Sequence, residues 1–150
     1  MITRHTFLRA VAVAGVFAGT LPACGQMAPS GKVDNYTATM AGAQEVPPVT
    51  TSGAGAAEVQ LNKDTHLLTW KVNYSGLSGP AVAGHIHGPA AAGQNAGVLV
   101  PFTNVGSQPI TGQATITPQQ ESDLAAGKWY VNIHTPSHPG GEIRGQLQRR

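Results

Sequence analysis

The sequence predicts an all-β fold, an antiparallel β-sandwich or barrel with one short helix. Three observations carry that reading. Charged residues make up only 11% of the 150-residue chain, against about 25% in an average soluble domain. Glycine (19) and proline (11) are plentiful and cut the chain into short segments. Within those segments apolar and polar residues alternate, the period-2 pattern of strands with one buried face. The regular recurrence of aliphatic residues also argues against disorder.

Taken in order, "VDNYTATMAG" (33–42) reads as a strand, "AQEVPPVTTSGAG" as a proline-containing loop and "AAEVQLN" (56–62) as a second strand. The clearest strand is "HLLTWKVNYSG", with Leu68, Trp70, Val72 and Tyr74 on one face and Thr69, Lys71 and Asn73 on the other. His66 opens it in a charged setting and reads as exposed. After the turn "GLSGP" come strands in "AVAGHIHG", "AGVLVPF" and "TGQATIT". One helix is predicted next. Thr117 can cap it, Pro118 suits its first turn, Gln120 completes a capping box and Gly127 closes it. Strands "KWYVNIHT" (128–135) and "EIRGQLQ" (142–148) finish the chain, joined by "PSHPGG" read as a loop. There is no internal repeat and no glycine pattern of a nucleotide-binding loop.

The N-terminus reads as a separate object. Arg4 and Arg9 precede an apolar run from Ala10 to Ala23, too short for a spanning helix and of the length of a secretory signal. It ends in Leu21-Pro22-Ala23-Cys24, which resembles a bacterial lipobox, so residues 1–23 are expected to be a lipoprotein signal peptide. Cys24, the sole cysteine, is the expected lipidation site, and residues 24–32 a lipidated tether. The competing reading is an ordinary signal peptide with an incidental cysteine. "TRHTFLR" lacks the second arginine of a twin-arginine signal, which favours the general export route. The expected location is the bacterial cell envelope, lipid-anchored and facing the periplasm or exterior. Without residues 1–23 the chain keeps seven basic and seven acidic side chains. Nothing then points to nucleic acid as a partner.

Alternation places unusual polar groups on the side of three strands away from the core. Val82 and Ile86 share one face of "AVAGHIHG", and His85 and His87 the other. Trp129, Val131 and Ile133 are expected inside, which turns Tyr130, Asn132 and His134 outward. Ile143 and Leu147 inside leave Glu142, Arg144 and Gln146 outside. Residues i and i+2 on a strand lie about 6.6 Å apart, so two imidazoles at that spacing can lean toward one ion. His134 from a neighbouring strand would complete a three-nitrogen site of the kind that suits copper, zinc or iron. Asn132, Glu142 or backbone carbonyls could accept a second ring N–H and fix its tautomer. His138 is either a fourth ligand or a solvated loop residue. Glu142 and Arg144 can alternatively form a cross-strand ion pair. A nucleophilic hydrolase is disfavoured, because no serine sits in an elbow-like G-x-S-x-G context.

"HIHGPA", "YVNIHT" and "PGGEIRGQ", in that order, resemble the chordin-type (CHRD) domain over about residues 33 to 148. A CHRD domain is therefore expected over 33–150. The resemblance implies an extracytoplasmic β-sandwich and no settled biochemical activity. More distantly, His-X-His, a later strand-borne histidine and an arginine after a glycine-rich stretch are similar to copper–zinc superoxide dismutases. That likeness implies an Ig-like or superoxide-dismutase-like Greek-key sandwich. It makes His85, His87 and His134 copper ligands and Arg144 a catalytic guide for the superoxide anion. No histidine lies between His87 and His134, so the ligand that bridges copper and zinc in that family is missing. What is expected is one mononuclear site for copper or iron, with superoxide dismutation as its redox reaction. The alternatives are a non-catalytic envelope binding module and a periplasmic protein of metal storage or delivery.

Overall fold

Side chains that alternate in the sequence alternate in space. The computed structural model describes residues 31–150; the expected signal peptide and Cys24 lie outside the described residues. Strand β1 (Val33–Ala41) buries Tyr36, Ala38 and Met40, and β2 (Ala54–Asn62) buries Ala57, Val59 and Leu61. Strand β3 (Leu67–Ser75) buries Leu68, Trp70 and Val72. The register aligns these residues in rows across the sheet, Tyr36 beside Val59 and Val59 beside Trp70. Strand β6 (Ile110–Thr115) extends the row with Gly112 opposite Trp70. A Cβ at Gly112 would lie 2.3 Å from the indole Cζ2, so only glycine leaves room for that ring.

The second half of the sheet holds β4 (Ala83–His87), β5 (Val98–Pro101), β7 (Tyr130–Thr135) and β8 (His138–Gln146). The order is β5-β4-β7-β8-β1-β2-β3-β6, with every pairing antiparallel. The two halves share one core. Ile86, Trp129, Val131, Ile133 and Ile143 join the residues of β1–β3, and Trp70 stacks on Phe102 at 5.3 Å. The sheet is thus folded over itself as a nearly closed sandwich, with β5 and β6 as its two ends. Connections β3–β4, β5–β6 and β6–β7 each cross between the halves, as in Greek-key sandwiches.

The seam between the halves is short. Ala41 pairs with Arg144, and β9 (Gln148–Arg149) continues the same register along Thr37 and Tyr36. Between those points the chain approaches so closely that a Cβ on Gly145 would sit 2.5 Å from the Thr39 carbonyl oxygen.

Helix α1 (Pro118–Ala125) forms as the capping box predicts. The Thr117 hydroxyl accepts from the Gln120 backbone, and the Gln120 side chain accepts from the Thr117 N–H. Gly127 ends it at φ +70°, and Leu124 is its one buried residue.

Three local expectations change. "PSHPGG" is not all loop, because Thr135 pairs with His138 across a two-residue turn and β8 starts there. A register shift follows, with Gly141 at φ +124°, a bulge that re-aims the residues after it. Val82 lies before β4 begins and is 56% exposed, not on the core face. His66 is only partly exposed and pairs with Glu121 of the helix at 2.8 Å.

The close seam makes a testable demand. Gly145→Ala should cost about 1–3 kcal/mol of unfolding free energy, the usual range for overpacking. Urea titration would register this as a lower midpoint at unchanged slope; parental stability would mean the seam yields freely.

Candidate metal centre

Strand pairing brings the histidines together. On β4 and β7, His87 lies opposite Tyr130, His85 opposite Asn132 and Ala83 opposite His134. The polar residues therefore meet along diagonals. His85 Nδ1 lies 3.0 Å from His134 Nε2, and His87 Nε2 lies 3.1 Å from Asn132 Oδ1. One ring nitrogen from each of His85, His87 and His134 falls within 4.8 Å of the others. The three histidines named from alternation are thus the three the fold assembles.

Protonation follows from the partners. A carbonyl oxygen only accepts, so His134 Nδ1 carries hydrogen and donates to Pro139 O at 2.9 Å. Its Nε2 lone pair is left facing His85. Likewise His87 Nδ1 donates to Ala96 O at 2.9 Å; Nε2 is then an unprotonated acceptor only with the Asn132 amide turned to present its Nδ2, because an amide oxygen cannot donate. Burial lowers the pKa of His85, and neighbouring His134 and His87 lower it further, with Asn132 opposing. Burial also lowers that of His134, against the Pro139 carbonyl. Both are neutral in neutral solution and able to ligate.

The donor set fits a borderline transition-metal ion. Two imidazole nitrogens on one tetrahedral ion at 2.0–2.1 Å lie about 3.3–3.4 Å apart, near the separation of His85 and His134. Fixed Nδ1–H donors to backbone carbonyls are the usual support of Nε2-ligating histidines. Asn132, expected beside the site, does adjoin His87.

The other expected residues lie elsewhere, each for a physical reason. Tyr130, predicted to point outward, is 3% exposed because the 88–97 loop folds over it. Its hydroxyl bonds Ala96, while its ring stacks on His87 at 4.7 Å and on the Arg144 guanidinium at 3.4 Å. Strand order puts His87 and Arg144 on opposite sides of that ring. Arg144 is 1% exposed, and it donates to Gln94 O and Asn95 Oδ1. An open path from Arg144 to the histidines, as an anion guide needs, is blocked by Tyr130. His138 pairs with Thr135 at the start of β8 and stands outside the three-histidine group.

Glu142 neither pairs with Arg144 nor touches a histidine. The bulge turns it toward Thr51, Thr135 and Ser78, whose hydroxyls donate at 2.6–2.7 Å, while the Ser78 N–H donates at 2.8 Å. Burial alone would raise its pKa, but the donations from Thr135, Thr51 and Ser78 outweigh burial and hold it at about 2. Glu45, in the loop after β1, is a buried acidic residue beside Arg144. It is 5% exposed, and its Oε1 has no hydrogen-bond partner. Burial pushes its carboxyl up to about 7, with Arg144 and the Val46 backbone opposing. The one sequence signal was its isolation, a single charge just ahead of two prolines in an otherwise uncharged loop.

These two carboxyls should leave opposite marks on stability against pH. Glu142 favours its charged form, so its contribution is present above about pH 4.5 and is lost as pH falls toward 2. Glu45 favours its neutral form, so its contribution is full below about 4.5 and is lost as pH rises through 7. Urea unfolding across pH should therefore flatten between 4.5 and 2 in Glu142→Gln, and between 4.5 and 7 in Glu45→Gln. Each difference from the parent should approach about 1.4 kcal/mol per pH unit; parallel curves would contradict the assignments.

Among the described residues no helix is long and apolar enough to cross a membrane. No solved structure matches the chain. The model of the CHRD domain family matches residues 36–147, which takes in every strand of the core and all three histidines. The chain belongs to the CHRD domain family.

Proposed function

We propose that this CHRD-domain protein binds one transition-metal ion through His85, His87 and His134, at the bacterial cell envelope. The observation that carries this is the pair of backbone carbonyls, Ala96 O and Pro139 O. They fix Nδ1 as the donor in two of the three rings and leave their Nε2 atoms for a common ion. All-imidazole ligation without thiolate favours copper, with iron the second candidate. Asn132 adjoins the Nε2 of His87 and would give way there to the ion.

Retention or delivery of the ion is the form of function this geometry supports. Superoxide dismutation uses the same imidazoles, but its expected anion guide, Arg144, is buried behind Tyr130 with its donors engaged. Lipid on Cys24 would tether the domain through residues 24–32 once the leader is removed.

Elemental analysis of the copper-loaded full chain should find one ion per chain. His134→Ala and the His85→Ala/His87→Ala pair should lose it, whereas His138→Ala should keep it. Equal metal in the His85/His87 double variant would place the site elsewhere. Superoxide turnover well above that of free copper, and reduced by Arg144→Ala, would instead favour the redox reading. For the anchor, Cys24→Ser should move the protein from the membrane to the soluble fraction of cells; unchanged fractionation would remove the lipid.

A further inference from the structure

Arg144 is a buried cation with an unusual set of partners. It makes no ion pair among the described residues. Its two terminal nitrogens each donate to one neutral oxygen, Asn95 Oδ1 at 3.1 Å and Gln94 O at 2.7 Å. Two oxygens, one for each prong of the fork, are what a carboxylate offers a guanidinium. Here they come from the tip of an exposed loop. Tyr130 packs flat against the guanidinium and holds its plane.

A pocket of 370 Å³ adjoins this group. Val46, Pro48 and Ala92 give it apolar walls, while buried Glu45, Arg144 and Gln146 also line it. Its size falls in the usual range for small-molecule sites. Asn95 forms a clasp beside it, its Nδ2 donating to Val46 O while its Oδ1 accepts from Arg144. Two oxygens of lining residues, Glu45 Oε1 and Gln146 Oε1, are buried without a partner. Both can accept hydrogen bonds that no described residue supplies.

From this arrangement we infer that the Arg144 pocket binds a small organic carboxylate bearing a neighbouring O–H or N–H, of the α-hydroxy or α-amino acid type. The carboxylate displaces Gln94 O and Asn95 Oδ1 from the guanidinium. The adjacent donor meets the unpartnered oxygens of Glu45 and Gln146. This site is separate from the three histidines, with Tyr130 between them, and it does not rest on metal binding.

Isothermal titration of the metal-free full chain, at constant ionic strength, tests it with lactate, acetate, propane-1,2-diol and sulfate as probes. Lactate should bind saturably, acetate more weakly and the diol not at all. Arg144→Lys keeps the charge but loses the fork, and should weaken lactate binding by roughly tenfold or more. Asn95→Ala removes the clasp and should tighten it. If the lysine variant does not fold, the asparagine variant decides alone. Absence of saturable lactate binding to the Asn95→Ala chain would overturn the site, and sulfate binding as tightly as lactate would overturn the carboxylate assignment. Metal uptake by the same preparation, read separately, keeps this outcome distinct from that of the histidine site.

Discussion

Burial of β7 on both faces is the constraint on which the site depends. Val131 and Ile133 face the core, as alternation demands, but Tyr130 and Asn132 on the opposite side are also nearly inaccessible. A polar group removed from water must find a partner or cost free energy. The outer face of β4, β7 and β8 is therefore roofed by loops that supply carbonyls. Ala96 serves His87 and Tyr130, Pro139 serves His134, Gln94 serves Arg144 and Ala90 serves Gln146. These bonds fix the ring orientations that make the histidines a coherent donor set. The three-histidine cluster is thus a by-product of satisfying a second, polar layer above the core.

The same rule explains why two glutamates of one chain behave in opposite ways. Glu142 is fully buried yet charged, because three hydroxyls and one N–H converge on its oxygens. Glu45 is nearly as buried but lacks a donor on Oε1, and the nearby cation is too weakly coupled to offset burial. Partner number decides between them, more than depth. Glu142 ties the β8 bulge to the turns after β3 and before β2, a structural role. Glu45 is left with unused capacity.

Much of this was legible in the chain, and the boundary has a physical cause. Period-2 alternation located Leu68, Trp70, Val131, Ile133 and Ile143 inside, because a strand offers only two faces. The capping box of α1 is local, and local chemistry suffices to read it. The convergence of His85, His87 and His134 followed from facing alone, once β4 and β7 were neighbours. Alternation says only which side a residue occupies, never whether that side is covered. The roof of residues 88–97 therefore escaped notice, and with it the burial of Tyr130 and Arg144. The bulge at Gly141 likewise broke the alternation that had set Glu142 beside the histidines. Glu45 had no pattern to join.

Arg144 shows how far the likeness of motifs can mislead when the intervening group is ignored. An arginine after a glycine-rich stretch, following His-X-His and a third histidine, lies near the metal ligands in sequence order. In space the Tyr130 ring separates it from His87, and aromatic stacking on both faces keeps it there. A desolvated guanidinium over an aromatic face gains about 2 kcal/mol, which helps to offset burying the charge without a carboxylate. Two neutral loop oxygens complete its shell but leave its charge unbalanced. A cation so placed keeps an affinity for an anion, and the pocket beside it provides the space. The residue that the motif assigned to the metal is thus engaged by Tyr130 and the 94–95 loop.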